Sequence, residues 1–264
     1  MDRVCTLIAL HRRIVGAPLV VAANRDEFHD RPAEGLAIRS APGGPIIAPL
    51  DTRAGGTWLG LGPQGLFAAV TNVSAGTPDP QRRSRGHLVI QALAAASARE
   101  AAEAAEKLPM GMYNPFNLFL ADRDDAFAIT YEERPRRIAV GGSTVIVGNG
   151  AFDRPVPPKL AGLQEQVDDL GPESLLEGLE RLCRSHEEFG PRGPLDALCV
   201  HTPAYGTRSS ALLRIGDDGL EDSNSVFRFA EGAPCENPYE DHTALLRRLA
   251  SPGPVAVGSI GEPS

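Results

Sequence analysis

The order of its elements predicts a strand-rich α+β fold, with two sheets and the helices grouped outside them. Three observations carry this. Strand signals come in blocks, at 4–10 through 66–72, 117–147 and 195–229, with helical stretches at 84–108 and 159–184 between them. The blocks do not alternate strand by helix, as a doubly wound sheet would. No glycine-rich loop leads from a strand into a helix, so nucleotide binding has no support.

The chain is organised around residues 19–27, LVVAANRDE. A short apolar run ends abruptly in Asn24, Arg25, Asp26 and Glu27. Such a run reads as a strand buried on both faces. Side chains alternate along a strand, so Asn24 and Asp26 share one face and Arg25 and Glu27 the other. A solvated strand end is the bland explanation. The density of polar groups argues for a cleft, and Cys5 on the preceding strand could use them.

Residues 4–10, VCTLIAL, form that first strand, and the turn at Gly16 returns the chain as its hairpin partner. Residues 29–49 read as irregular, with short strands at 36–39 and 45–48. Gly55-Gly56-Thr57-Trp58-Leu59-Gly60, a Pro63-Gln64-Gly65 turn and the strand 66–72 make a second hairpin. The paired glycines permit close backbone approach. Trp58 reads first as a core anchor and second as a ligand contact. Leu88, Ile90 and Leu93 give the first helix its apolar stripe, and Ser97 with Glu100 makes a capping box for an Ala-rich second. Strands follow at 117–121, 126–131, 137–140 and 144–147, then helices at 159–168 and 172–184. Strands at 195–200, 207–215 and 225–229 and a helix at 240–249 complete the pattern. Asn72 and Asn149, like Asn24, end apolar strands; a lone Asn there is ordinarily a turn former. We expect one domain over 1–250 and a disordered Gly/Pro/Ser tail at 251–264.

Composition narrows the function. A net charge of -8 with no basic stripe argues against nucleic acid and against an anionic membrane surface. No apolar run reaches the length of a membrane span, and no signal-peptide pattern is present, so a cytoplasmic protein is expected. Cys5, Cys183, Cys199 and Cys235 form no CxxC pair, and the six histidines form no HxxxH, so neither a metal nor a cofactor is expected. Apart from Lys107 and Lys159 the basic residues are Arg, which suggests GC-rich coding DNA.

These segments resemble the NRDE-motif family, whose animal members are called transport and Golgi organization proteins. The resemblance runs in order through Cys5-Thr6-Leu7, Ala23-Asn24-Arg25-Asp26-Glu27-Phe28 with Arg31-Pro32, and Gly55-Gly56-Thr57-Trp58-Leu59-Gly60. It continues through Val70-Thr71-Asn72, Ser84-Arg85-Gly86, Phe116-Asn117-Leu118, Gly148-Asn149 and Tyr205-Gly206-Thr207-Arg208. Two departures stand out: Pro49-Leu50-Asp51 replaces the usual Gly-Arg-Asp, and Cys5 follows Met1-Asp2-Arg3-Val4 where members usually begin Met-Cys. The family in turn is similar to the N-terminal-nucleophile hydrolases, which implies a four-layer αββα sandwich. It also implies Cys5 as nucleophile, Asp26 holding its α-amine, Asn72 and Asn149 as oxyanion donors and Arg208 as a distal positive residue. Asn24, Arg25 and Trp58 would contact the ligand. The acylases place an Arg three residues before that Asp, where this chain has Ala23.

The chemistry is coherent only if Cys5 carries a free amine. An α-amine has a pKa of roughly 8 and can take the thiol proton, whereas a mid-chain amide nitrogen cannot. We therefore expect the native protein to begin at Cys5. Val4 could be a GTG start read as Met, giving Met-Cys-Thr-Leu; self-cleavage of the four-residue extension is the other route. Two further readings stand beside the amidase: a carrier of haem, lipid or an acyl-CoA-like ligand on the same scaffold, which the resemblance implies, and a merely buried strand cysteine.

Overall fold

The computed structural model describes residues 5–152, 154–251 and 258–259. The chain runs β1 (Thr6–Ile14), β2 (Ala17–Phe28), β3 (Ala33–Ala41), β4 (Gly44–Asp51), β5 (Leu59–Leu61) and β6 (Phe67–Asn72). Helices α1 (Arg85–Leu93) and α2 (Ala98–Glu106) follow, then β7 (Phe116–Ala121), β8 (Ala126–Tyr131), β9 (Pro135–Ala139) and β10 (Thr144–Val147). After α3 (Pro158–Asp168) and α4 (Leu175–Arg184) come β11 (Tyr205–Ile215), β12 (Val226–Glu231), β13 (Glu240–Asp241), α5 (Thr243–Ala250) and β14 (Gly258–Ser259).

The strands form two sheets, ordered β10-β1-β2-β11-β12-β13 and β14-β3-β4-β5-β6-β7-β8-β9, antiparallel except for the β14–β3 pair. Alternation along β2 divides the core. Leu19, Val21 and Ala23 join Ile47, Phe67 and Phe119 between the sheets. Val20 and Ala22 pack outward against Leu163, Leu179 and Leu182 of α3 and α4. On the far side α1 and α2 cover the second sheet through Leu88, Leu93 and Ala102. The layers are thus helix, sheet, sheet, helix, as expected, and β2 is buried along nearly its whole length.

Several local expectations hold, and others are corrected. Ser97 caps α2 by accepting from the Glu100 N–H at 3.2 Å. Residues 33–51 are not irregular: β3 and β4 make a full hairpin, with Gly44 at φ 112°. No strand occupies 195–200. A tight turn spans Gly193–Asp196, and the backbone beyond it is satisfied from elsewhere. Cys199 N–H donates to Ser185 O at 2.9 Å, and Val200 N–H donates to the Thr207 hydroxyl at 2.8 Å. The last helix starts at Thr243 because β13 takes Glu240–Asp241. Of the tail expected to be disordered, Gly258–Ser259 pairs with β3, and the other residues beyond Ser251 lie outside the described set. Among the described residues no helix is long and apolar enough to cross a membrane.

Candidate functional site

The cleft opens where β2 runs out of apolar residues. Thr6 pairs with Asn24, so Cys5 lies beside the end of β2, and its Sγ donates to the Asp26 backbone oxygen at 3.5 Å. Arg25 continues the inter-sheet face of Val21 and Ala23. Its guanidinium stacks 4.3 Å from the Trp58 ring centroid and lies 3.8 Å from Glu27 and 4.0 Å from Asp51. Asp51 in turn holds Arg31 through a forked pair at 2.8 and 3.0 Å. This polar net floors a cleft of about 430 Å³ lined by Cys5, Arg25, Asp26, Trp58 and Asn72.

The cleft wall is set by main chain. A Cβ on Gly56 would lie 2.7 Å from the Gly86 carbonyl carbon, and one on Gly86 would lie 2.9 Å from Thr57 N. Only two glycines let the start of α1 cross the loop before Trp58 this closely. The Gly-Gly-Thr-Trp and Ser-Arg-Gly segments are therefore one contact, and they put Arg82, Arg83 and Arg85 along the opening.

Asp26 points the other way, into the helix layer. Thr207 donates to its Oδ1 at 2.6 Å, while Oδ2 is buried without a partner. The Lys159 ammonium and the Thr6 hydroxyl are likewise buried and unpartnered. Burial pushes the Asp26 carboxyl up to about 7, against the pull of Lys159, Thr207 and Arg25. Burial also pushes the Cys5 thiol up to about 11; Asp26 adds to this, while the hydrogen bond to the Asp26 backbone and the Arg25 charge oppose it. The Lys159 ammonium is pushed down by the same desolvation. A mid-chain Cys5 is thus a protonated thiol at neutral pH. Among the described residues no histidine lines the cleft to take its proton.

Five of the eight expected site residues line the cleft, Cys5, Arg25, Asp26, Trp58 and Asn72, although the Asp26 carboxyl points away into the helix layer. Trp58 is both cleft wall and partner of the core. Asn149 lies next door: its Nδ2 donates to the Asn72 backbone oxygen at 2.6 Å. It lines a neighbouring depression of about 280 Å³ with Thr6 and Lys159. Arg208 falls at a bulge in the β2–β11 ladder and lines neither. Asn24 is on the helix side, donating to Cys183 O and Leu198 O at 2.9 Å and accepting from Ser210 at 2.6 Å. It fastens α4 and the segment beyond it to β2 and does not reach the cleft. Alternation alone predicted that split from Arg25.

Two important residues were missed from sequence, Asp51 and Lys159. Asp51 appears there only as the remnant of a departed motif. Lys159 had a usable signal, since only two lysines exist in the chain. Outside the cleft, one ligand atom from each of His186, Cys199, His201 and Cys235 gathers within 4.8 Å of the others.

This architecture is found among solved structures. A Caenorhabditis elegans N-acylethanolamine-hydrolyzing acid amidase ortholog superposes with TM-score 0.54 at 10% identity, over 79% of this chain and 92% of that one. A conjugated bile acid hydrolase from Clostridium perfringens gives 0.49 at 14% identity, over 98% and 99%. The fold is therefore shared with the amidase ortholog. In sequence, the Homo sapiens transport and Golgi organization protein 2 homolog is 30% identical over 232 residues, 76% of this chain and 83% of the relative. The Mus musculus homolog is 28% identical over the same shares. With residues 4–224 matching the family described as Transport and Golgi organisation 2, the chain belongs to that family.

Proposed function

We propose that the inter-sheet cleft is the site of a cysteine amidohydrolase acting on a non-peptide amide of a small molecule. The observation that carries this reading is Asp26, whose buried Oδ2 has no hydrogen-bond partner and whose backbone oxygen accepts from Cys5. A buried carboxylate oxygen without a partner is costly. Lys159 already acts on this carboxylate, and a free Cys5 α-ammonium at the start of β1 would be a second cation beside it.

In this mechanism the neutral α-amine takes the Cys5 proton and the thiolate attacks the amide carbon. The Asn72 side-chain amide donates to the developing oxyanion, a contribution of roughly 3 kcal/mol when well placed. The α-ammonium returns the proton to the departing amine, and water then hydrolyses the thioester. Arg25, held over Trp58, biases the thiol toward thiolate. The arginines along the opening suit a substrate that carries a carboxylate or a phosphate.

The second reading is a non-catalytic carrier of a haem or acyl-CoA-like ligand. It is favoured by the Cys5 thiol itself, held at about 11 when residue 5 is mid-chain. The mature N-terminus discriminates, and residues 1–4 lie outside the described set. Intact mass of protein from its native host should lack Met1 through Val4. Protein beginning at Cys5 should then cleave small amides, and Cys5→Ala should abolish cleavage. Native protein retaining Asp2, Arg3 and Val4 would exclude the hydrolase and leave the carrier.

A further inference from the structure

Outside the cleft, four side chains converge that the fold does not otherwise need together. His186 follows α4, Cys199 and His201 lie on the segment leading to β11, and Cys235 sits in the turn between β12 and β13. One ligand atom from each lies within 4.8 Å of the other three. The Cys199 and Cys235 sulfurs are 3.5 Å apart, and His201 Nε2 is 3.7 and 3.1 Å from them. A tetrahedral zinc with bonds of about 2.3 Å to sulfur and about 2.0 Å to nitrogen sets edges of roughly 3.8 Å between sulfurs and 3.5 Å between sulfur and nitrogen. The observed edges match within a few tenths of an ångström, whereas a disulfide needs its sulfurs at about 2.05 Å.

The surroundings are those of a ligand set. His186 Nδ1 lies 3.0 Å from the Cys199 carbonyl oxygen. An N–H there donates to that carbonyl and leaves Nε2 with the free lone pair, the usual support of a metal-bound imidazole. Cys199 is pinned again by its own N–H to Ser185 O. Cys235 is fixed by a turn in which Glu236 and Asn237 N–H both donate to Ala233 O. Cys199 is buried and His186 and His201 are exposed, so an ion can enter from solvent.

We propose that His186, Cys199, His201 and Cys235 form a structural zinc site. Two thiolates and two neutral imidazoles are the donor set of closed, four-coordinate zinc, and a site with no open position binds without catalysing. Binding releases one proton from each cysteine. The site ties the β12–β13 turn to the segment ahead of β11. From that segment Val200 N–H holds the Thr207 hydroxyl, which donates to Asp26. Zinc therefore stabilises a support of the cleft without entering it. The tandem spacings of zinc motifs could not reveal this, because the ligands are spread as His-x12-Cys-x-His-x33-Cys.

The test uses the full chain, reduced, stripped with chelator and equilibrated with buffered zinc. One zinc per chain is expected by mass spectrometry of the metal. Cobalt in its place should give the visible bands of a tetrahedral ion with sulfur-to-cobalt charge transfer. Cys235→Ser and His201→Asn should each lower zinc occupancy to below about a tenth under the same buffer, and Cys5→Ala should leave it at one. Should those variants fail to fold, alkylation of the unaltered chain replaces them: zinc should slow labelling of Cys199 and Cys235 at least tenfold and leave Cys183 unchanged. The proposal is overturned if the reduced chain takes up no zinc. It is equally overturned if a Cys199→Ser/Cys235→Ser double variant keeps stoichiometric zinc, or if native protein carries a Cys199–Cys235 disulfide and no metal.

Discussion

Substituting Asp26 by Asn should change how the protein's stability responds to pH. In the folded chain the carboxyl is pushed from its ordinary 3.8 up to about 7. The fold thus binds a proton that the unfolded chain has released, and stability falls as pH rises between about 4 and 7. At about 1.4 kcal/mol per pH unit the full loss is about 4 kcal/mol, an upper bound because Lys159 shares the charge. Urea unfolding at pH 4.5 and 7.5 reads it directly, and the comparison is of slopes. Asp26→Asn also deprives Lys159 of its counter-ion, which lowers the absolute stabilities. Protein starting at Met1 should lose several kcal/mol over that interval, and Asp26→Asn should lose much less. A chain that begins at Cys5 should also lose less, because its ammonium would favour the ionised carboxylate. Equal slopes for the Met1-started protein and Asp26→Asn would refute the buried, proton-binding carboxyl.

Asn24→Ala should destabilise the fold by roughly 2–3 kcal/mol, through carbonyls of Cys183 and Leu198 left without their donor; a loss of unfolding free energy below about 0.5 kcal/mol in urea would contradict its role as a fastener. Arg25→Ala should cost about 3 kcal/mol, since it removes the buried guanidinium between Glu27 and Asp51 and its stacking on Trp58. The same variant should quench or shift the fluorescence of Trp58, the single tryptophan. Gly56→Ala should lower stability by about 2 kcal/mol, because the new methyl meets main chain at 2.7 Å; calorimetry showing an unchanged melting temperature would count against the crossing.

How much was legible in the sequence depended on whether the cause was local. Hairpins closed by Gly16 and Gly65 could be read because a turn and two flanking apolar runs are neighbours in the chain. The partition of β2 into two faces could be read because alternation is a property of the strand alone. The 195–200 segment could not, since a threonine hydroxyl and a distant carbonyl satisfy its backbone. In the cleft, Cys5, Arg25 and Asp26 were visible as motif letters. The work of Asp51 was hidden, because nothing within its own stretch announces Arg31 and Arg25 as its partners. Arg208 sits at a register shift between Thr207 and Ser209, where alternation along the strand is interrupted, and no spacing rule reports such a bulge.

The alternating burial of β2 has a consequence for how this chain can change over generations. Its even positions are fitted to helices and its odd positions to the opposite sheet. Inserting or deleting a single codon ahead of Asn24 would send every later side chain to the wrong tenant, with Arg25 thrust among leucines and Asp26 into the cleft. Point substitutions at the rim leave that parity intact. Length variation should therefore accumulate in loops such as 74–83, where backbone parity governs nothing, and spare β2 altogether.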